Sequence, residues 1–328
     1  MTTIDRRQFT IGAAAAGIGL TAFGTGASAQ AFPSQDFHFI CAFPAGSGAD
    51  VIVRYFAEKM RPILGRNIIV ENRAGALGNI AAEYMVRSKP DGYTIFIHGG
   101  SAVAANAHLF KNPSFDPKKA IQIVSAVNKQ ATMLIVDPKS PYKTVSELTA
   151  AMKIKGDKAT YATSNPIAKV MGEMYKQIAG VQAIEVNYKT APDSLNDMAS
   201  GALDYGMVDN VFALSQQREG RVRILAVSTG QRLKANADLP TMDEAGVKGM
   251  DLTSWWATMV PAATPRPIVE QLNKWFNQVE AHEDMTKFMA QFGADPWVAG
   301  PDEMQAFFIK QVDAWGDYVK LAKIEPQG

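Results

Sequence analysis

The residues best placed to do chemistry lie together in Phe43–Asp50, which reads FPAGSGAD. Ser47 sits between Gly46 and Gly48, and a serine flanked by glycines invites a nucleophile reading. The spacing is Ala-Gly-Ser-Gly-Ala, however, and not the G-x-S-x-G of a nucleophile elbow, and no histidine and acid offer a base and its orienter. No catalytic residue is assigned. A hydroxyl or N–H donor to an anion is the reading these residue types favour. Asp50 suits two roles equally: contact with a ligand's polar end, or the first turn of a helix, where an acid complements the dipole. Arg54, one turn on, fits a local ion pair better than a ligand contact. The four histidines, His38, His98, His108 and His282, show no ligand spacing, and the one cysteine, Cys41, lies within an apolar run. Neither a metal nor another cofactor is expected.

The elements around this stretch explain why it should bind an anion. Phe37–Phe43 is short, apolar and aromatic-rich, as a strand covered on both faces is. Pro44, Gly46 and Gly48 break it, and a helix follows from near Asp50, with Ile52, Tyr55, Phe56, Lys59 and Ile63 on one face and Gly65 as its C-terminal cap. A small-residue turn feeding a helix aims free N–H groups and the positive dipole end into the space beyond the strand.

Composition narrows the function classes. The 328 residues are 47% hydrophobic and carry 33 basic and 32 acidic side chains, so no global field recruits nucleic acid or an anionic membrane. Asp5-Arg6-Arg7-Gln8-Phe9, the small apolar run Ile11–Phe23 and Ala27-Ser28-Ala29 read as an export signal over residues 1–29, of twin-arginine type, cleaved near Ala29-Gln30. An ordinary secretory signal holding two arginines is the alternative. Its removal leaves the mature chain formally neutral, and a soluble periplasmic protein is expected, with a monomer the simplest state.

Further on, Asn67–Glu71 and Thr94–His98 read as strands, with a helix over Gly78–Arg87 between them whose sheet side carries Ile80 and Tyr84. Gly99-Gly100-Ser101 is a second small-residue loop. This alternation implies a parallel, doubly wound α/β sheet with ligand space beyond the carboxyl ends of its strands. From about residue 131 a second set follows. The strand Ala159–Ala162 turns through Thr163-Ser164-Asn165-Pro166 into a helix, with Asn165 as cap and Pro166 in the first turn. A strand over Leu203–Val208 runs into Asp209. The chain then returns through Trp255–Val260 to amphipathic helices from Pro267 and Met304. Residues 30–130 with 256–328 form a first lobe, and residues 131–255 a second. Two doubly wound domains joined by two crossings enclose a cleft. Trp255 and Trp256 should split between core and cleft.

Taken together, PAGSGADVIVR (44–54), VENRAGALGNIAAE (70–83), PDGYT (90–94), YKTAPDSLNDMASGALDYGMVDN (188–210), LAVSTGQRLKANADLPTMDEAG (225–246) and SWWATMVPAATP (254–265) resemble the Bug family, the periplasmic solute-binding proteins of tripartite tricarboxylate transporters. The resemblance covers nearly the whole mature chain. It implies a two-lobed, type II "Venus flytrap" that binds a small di- or tricarboxylate or aromatic carboxylate without chemistry and delivers it to membrane permease subunits. It also implies that backbone N–H groups of two turns hold the carboxylate. The first is Phe43–Asp50, with Ala45, Gly46 and Ser47 nearest the anion; the second is Ala162, Thr163, Ser164 and Asn165. Asn79, Ser101 and Asp209 occupy further matching positions facing the cleft. The sequence departs from the family at 162–173, where ATSNPIAKVMGE lacks the usual glycines and places Lys169 near the usual histidine. A ligand-sensing subunit for a membrane histidine kinase is the alternative reading, and an exported α/β hydrolase a further one.

Overall fold

In the computed structural model, which describes residues 32–328, Phe37, Phe39, Ile40 and Cys41 are fully buried, so the first strand is covered on both faces. The export signal and cleavage point expected over residues 1–29 lie outside the described residues. Gln35–Gly328 form one compact unit. In chain order its first elements are β1 (Phe37–Cys41), α1 (Gly48–Leu64), β2 (Ile68–Asn72), α2 (Asn79–Val86), β3 (Thr94–Gly99), α3 (Gly100–Leu109), α4 (Pro117–Ala120) and β4 (Ile121–Gln130). Next come β5 (Thr132–Val136), α5 (Val145–Lys155), β6 (Ala159–Thr163), α6 (Pro166–Ala179), β7 (Ala183–Asn187), α7 (Leu195–Ala199), β8 (Tyr205–Asp209), α8 (Asn210–Arg218) and β9 (Arg223–Val227). The chain closes with β10 (Ser254–Pro261), α9 (Arg266–Glu280), α10 (Glu283–Ala290), β11 (Asp295–Pro296) and α11 (Pro301–Leu321).

These strands form two sheets, ordered β11-β4-β10-β3-β1-β2 and β7-β6-β8-β5-β9. The chain leaves the first sheet at Gln130 and enters the second at Thr132, and it returns between Val227 and Ser254. The two crossings are tied to each other: Ser228 N–H donates to Thr132 O at 2.9 Å, and Thr132 N–H donates to Ser228 Oγ at 3.0 Å. The strands β1, β2 and β3 pair in parallel as the sequence implied, as do β6, β7 and β8, but each sheet is mixed because further strands run the other way. β10 runs antiparallel between β3 and β4, and β5 runs antiparallel between β8 and β9. The strand that returns from the second sheet enters the first from the opposite end, a long-range event with no local signal.

Helix faces needed similar correction. α1 buries Ile52, Val53, Phe56, Ala57, Met60 and Leu64, so the seam runs beside Lys59 and Ile63. Gly65 closes this helix at φ 62, the left-handed cap its position called for. α2 buries Ala81, Ala82 and Met85, while Ile80 and Tyr84 point outward, with the Arg73 guanidinium 3.4 Å above the Tyr84 ring. Small residues face the sheet because α2 packs close to it. The C-terminal helices cover the first sheet as expected: Phe276 stacks 5.8 Å from Phe39, and Phe308, Val312, Trp315 and Val319 are buried. Trp255 is wholly buried against Phe307 and Phe308, while Trp256 stacks 6.1 Å from Phe43 at the cleft side.

Candidate functional site

The turn from β1 into α1 is organised by its own acid. Ser47 caps α1, its Oγ accepting from Asp50 N–H at 3.2 Å. Gly46, at φ 82, turns its N–H back to Asp50 Oδ2 at 2.9 Å. A left-handed φ of this kind is ordinary for glycine and strained for other residues. Asp50, 2% exposed, also accepts from Arg54 Nε and Asn72 Nδ2, each at 2.8 Å. Burial alone would raise its carboxyl, but the hydrogen bonds from Arg54, Asn72 and Gly46 outweigh it and hold the group at about 2. Of its two candidate roles, Asp50 fills the structural one. The Gly46 N–H expected to meet a ligand is therefore committed, and Ser47 N–H donates to Pro44 O at 3.2 Å. Ser47 Oγ serves as a cap and faces no base.

The turn from β6 into α6 has the same strand-to-helix form with a neutral cap. Asn165 Oδ1 accepts from Ala168 N–H at 2.9 Å, and Pro166 occupies the first turn without an N–H of its own. Among the described residues no acceptor takes the N–H of Ser164, Asn165 or Ile167. Beneath the turn Thr163 Oγ1 donates to Glu185 at 2.6 Å, and Lys169 pairs with the same carboxylate at 2.9 Å. Lys169 is thus an internal partner. A third helix start lies beside this one: Asp209 caps α8, accepting from Phe212 N–H at 2.9 Å. Asp209 is reachable by solvent through the cleft yet crowded by protein. That crowding pushes its carboxyl up, against hydrogen bonds from its own N–H and those of Val211 and Phe212.

Between the sheets lies a cavity of about 390 Å³, within the usual range for small-molecule sites. Its first-sheet wall comes from Phe43 after β1, the segment Ala74–Gly78 before α2, His98 on β3, and Ala102, Ala105, Asn106 and Leu109 on α3. The opposite wall comes from Gln130–Thr132, Asn165–Ile167, Asp209 and Asn210. Of the twelve residues singled out from sequence, Phe43, Asn165 and Asp209 line it. Ala45, Gly46 and Ser47 lie on the first turn but outside the wall, and Asp50 is buried behind them. Asn79 donates to Glu83 at 3.1 Å, Ser101 Oγ accepts from Trp255 N–H at 3.1 Å, and neither residue is in the cavity wall. Ala162 and Thr163 are interior to β6, and Ser164 is half-buried in the turn.

Three further wall residues matter, of which His98 is the one that its place at the end of a strand near the cleft mouth points to. His98 is buried between Phe43, Phe96 and Trp256, with ring centroids 5.0 to 5.7 Å away, and neither ring nitrogen has a hydrogen-bond partner among the described residues. Burial lowers it to about 4, so the imidazole is neutral at ordinary pH. Leu77 and Asn106 join the wall together: Asn106 Nδ2 donates to Leu77 O at 3.1 Å. Asn106 lies on α3, whose start Gly99-Gly100-Ser101 reads in sequence as a loop. Gly100 is needed inside it, since a Cβ there would lie 2.2 Å from the Trp255 ring.

Two mixed α/β sheets joined by two tied crossings around a cleft define the solute-binding class of periplasmic proteins. The chain shares this fold with a solved R. palustris protein carrying adipate, at TM-score 0.76 and 27% identity over 90% of this chain and 100% of that one. The periplasmic binding protein BugD aligns at TM-score 0.72 and 30% identity, over 90% of this chain and 100% of its own. Residues 52–324 match the family described as tripartite tricarboxylate transporter family receptor, and the chain belongs to that family. Among curated relatives, BugT of Bordetella pertussis is 27% identical, with 89% of this chain and 91% of that protein aligned. A UPF0065 protein of Bordetella bronchiseptica is 29% identical, with 92% of this chain and 89% of that protein aligned.

Proposed function

We propose that this receptor captures a small carboxylate in the cavity between its sheets, with the carboxylate seated at the N-terminus of α6. The observation that carries the reading is a contrast in charge among three helix starts. α8 already has the Asp209 carboxylate at its N-terminus, and α1 has Asp50 in its first turn, whereas α6, which lines the cavity through Asn165–Ile167, is capped by a neutral amide. A helix start supplies donors and the positive dipole end to an anion. No Lys or Arg is among the residues lining the cavity, so oriented dipoles would do the holding. The adipate carried by the R. palustris relative is a ligand of the matching class.

In this reading the protein works outside the cytoplasm after loss of an export signal over residues 1–29, and hands ligand to the permease subunits of its transporter. It binds without turning ligand over. The lobes are residues 30–130 with 256–328, and 131–255, which the sheet membership supports. The test is a thermal-shift screen of residues 30–328, stripped of carried-over ligand by refolding. Its panel holds aliphatic di- and tricarboxylates, aromatic carboxylates and matched uncharged amides. Ligand at about a hundred times its dissociation constant adds roughly 2.7 kcal/mol. A shift with carboxylates alone is expected; shifts with none, or equal shifts with the amides, would overturn the reading.

A further inference from the structure

The charged groups around the cavity are arranged against a second negative charge on the ligand. Asp209 is the acid in the wall, and His98 is held neutral by burial. Three cations on the flanking segments are each matched to an acid, Arg54 to Asp50 at 2.8 Å, Arg73 to Glu71 at 2.7 Å and Lys169 to Glu185 at 2.9 Å, and Lys129, beside wall residue Gln130, lies over the Trp297 ring at 4.1 Å. A second carboxylate would be desolvated among apolar side chains with no cation to compensate, or would face Asp209.

The apolar part of the wall points the same way. Phe43 is 38% exposed and Leu77 47% exposed, large apolar surface left uncovered at the site itself. Leu77 is held there by an unusual backbone. Gly75, Ala76, Leu77 and Gly78 all have positive φ, with Ala76 at 45° and Leu77 at 53°. Left-handed backbone is unfavourable for a residue with a side chain and free for glycine. A glycine at 77 would therefore suit this turn better, and stability alone gives no reason for leucine. What leucine adds is an apolar side chain on the cavity wall, anchored through its carbonyl by Asn106. Strain of this sort persists where the site uses it.

We propose that the cavity takes a carboxylate with one ionised group on an apolar body, and that Leu77 is a specificity-determining residue that imposes the choice. The inference rests on the receptor reading above and narrows its ligand. The carboxylate sits at α6, and the body lies across Leu77 and Phe43.

The test is calorimetric titration of residues 30–328, which include the whole compact unit, with benzoate, phenylacetate and 4-methylpentanoate against succinate, malate and adipate. At least one monocarboxylate should bind about tenfold or more tighter than every dicarboxylate. Leu77→Gly should keep or raise the melting temperature while weakening that monocarboxylate about tenfold, as loss of one apolar contact does. Leu77→Asn, which accepts left-handed backbone, serves if the glycine variant folds poorly, and should show the same loss. Dicarboxylates binding as tightly as the monocarboxylates would overturn this inference and leave the receptor reading standing. Unchanged monocarboxylate affinity in a folded Leu77 variant would remove Leu77 from the account. Binding of none of the six would count against the receptor reading as well.

Discussion

The turn into α1 and the turn into α6 are built alike, each a strand ending in small or polar residues with a side-chain cap on the helix that follows. They differ in where the negative charge comes from. In the first, Asp50 folds back on Gly46 N–H and pairs with Arg54, so the protein supplies its own anion. In the second, the cap is a neutral amide, and three N–H groups near the start of α6 have no acceptor among the described residues. The glycine-rich turn carries a built-in acid and the glycine-free one does not, although both leave helix-start N–H groups without an acceptor among the described residues, Gly48 and Ala49 in the first and Ile167 in the second. Whether a helix start can take a ligand depends on the charge already seated there more than on glycine content. Asp209 at α8 repeats the lesson, since its carboxylate already occupies a helix start that lines the cavity.

That comparison is most sharply broken by giving α6 what α1 already has. Asn165→Asp keeps a good cap, so thermal stability should hold, but it puts a charge where the ligand carboxylate belongs. Affinity should fall about a hundredfold, a cost on the order of 2–3 kcal/mol for like charges at one site. Titration calorimetry beside a melting curve would check both halves.

Asp50→Asn asks the converse question. Because the folded-state carboxyl of Asp50 is held at about 2 against an ordinary 3.8, its stabilisation is present above the ordinary value and is lost as pH falls through about 2. That amounts to about 2 kcal/mol near neutrality. Urea unfolding at pH 7 should show the loss, the difference from wild type should shrink as pH falls below 3.8, and ligand affinity should change by less than about threefold. A large affinity loss with unchanged stability would return Asp50 to the ligand site.

The smallest effect is expected at Asp209. Asp209→Asn preserves the cap of α8 and removes the acid from the cavity, so carboxylate affinity should rise by about threefold and dicarboxylates should gain most. Competition titrations with adipate and benzoate would measure it.

Local chemistry was legible in the sequence wherever one residue decides it. Asn165 before Pro166 and Gly65 after α1 both stand in the structure as their types require. The direction of β10, the strand β4 and the inner face of α2 were not legible, because each depends on what a distant segment packs against. The site divides in the same way. Phe43, Asn165 and Asp209 follow from the family resemblance and His98 from its place at the end of a strand, while Leu77 and Asn106 reach the wall only because the segment before α2 meets α3 there. The Gly46 N–H shows the same dependence: nothing in its own sequence neighbourhood says that Asp50 turns back to accept from it.

Backbone amide spectra of the isotope-labelled chain, residues 30–328, with and without saturating benzoate or adipate, would test the central claim most directly. If the carboxylate sits at α6, the amides of Ser164, Asn165 and Ile167 should move downfield on binding, while Gly46, already bonded to Asp50, should hardly move. Large shifts at Gly46 and Ser47 with none at Ile167 would place the anion at α1 and contradict the account.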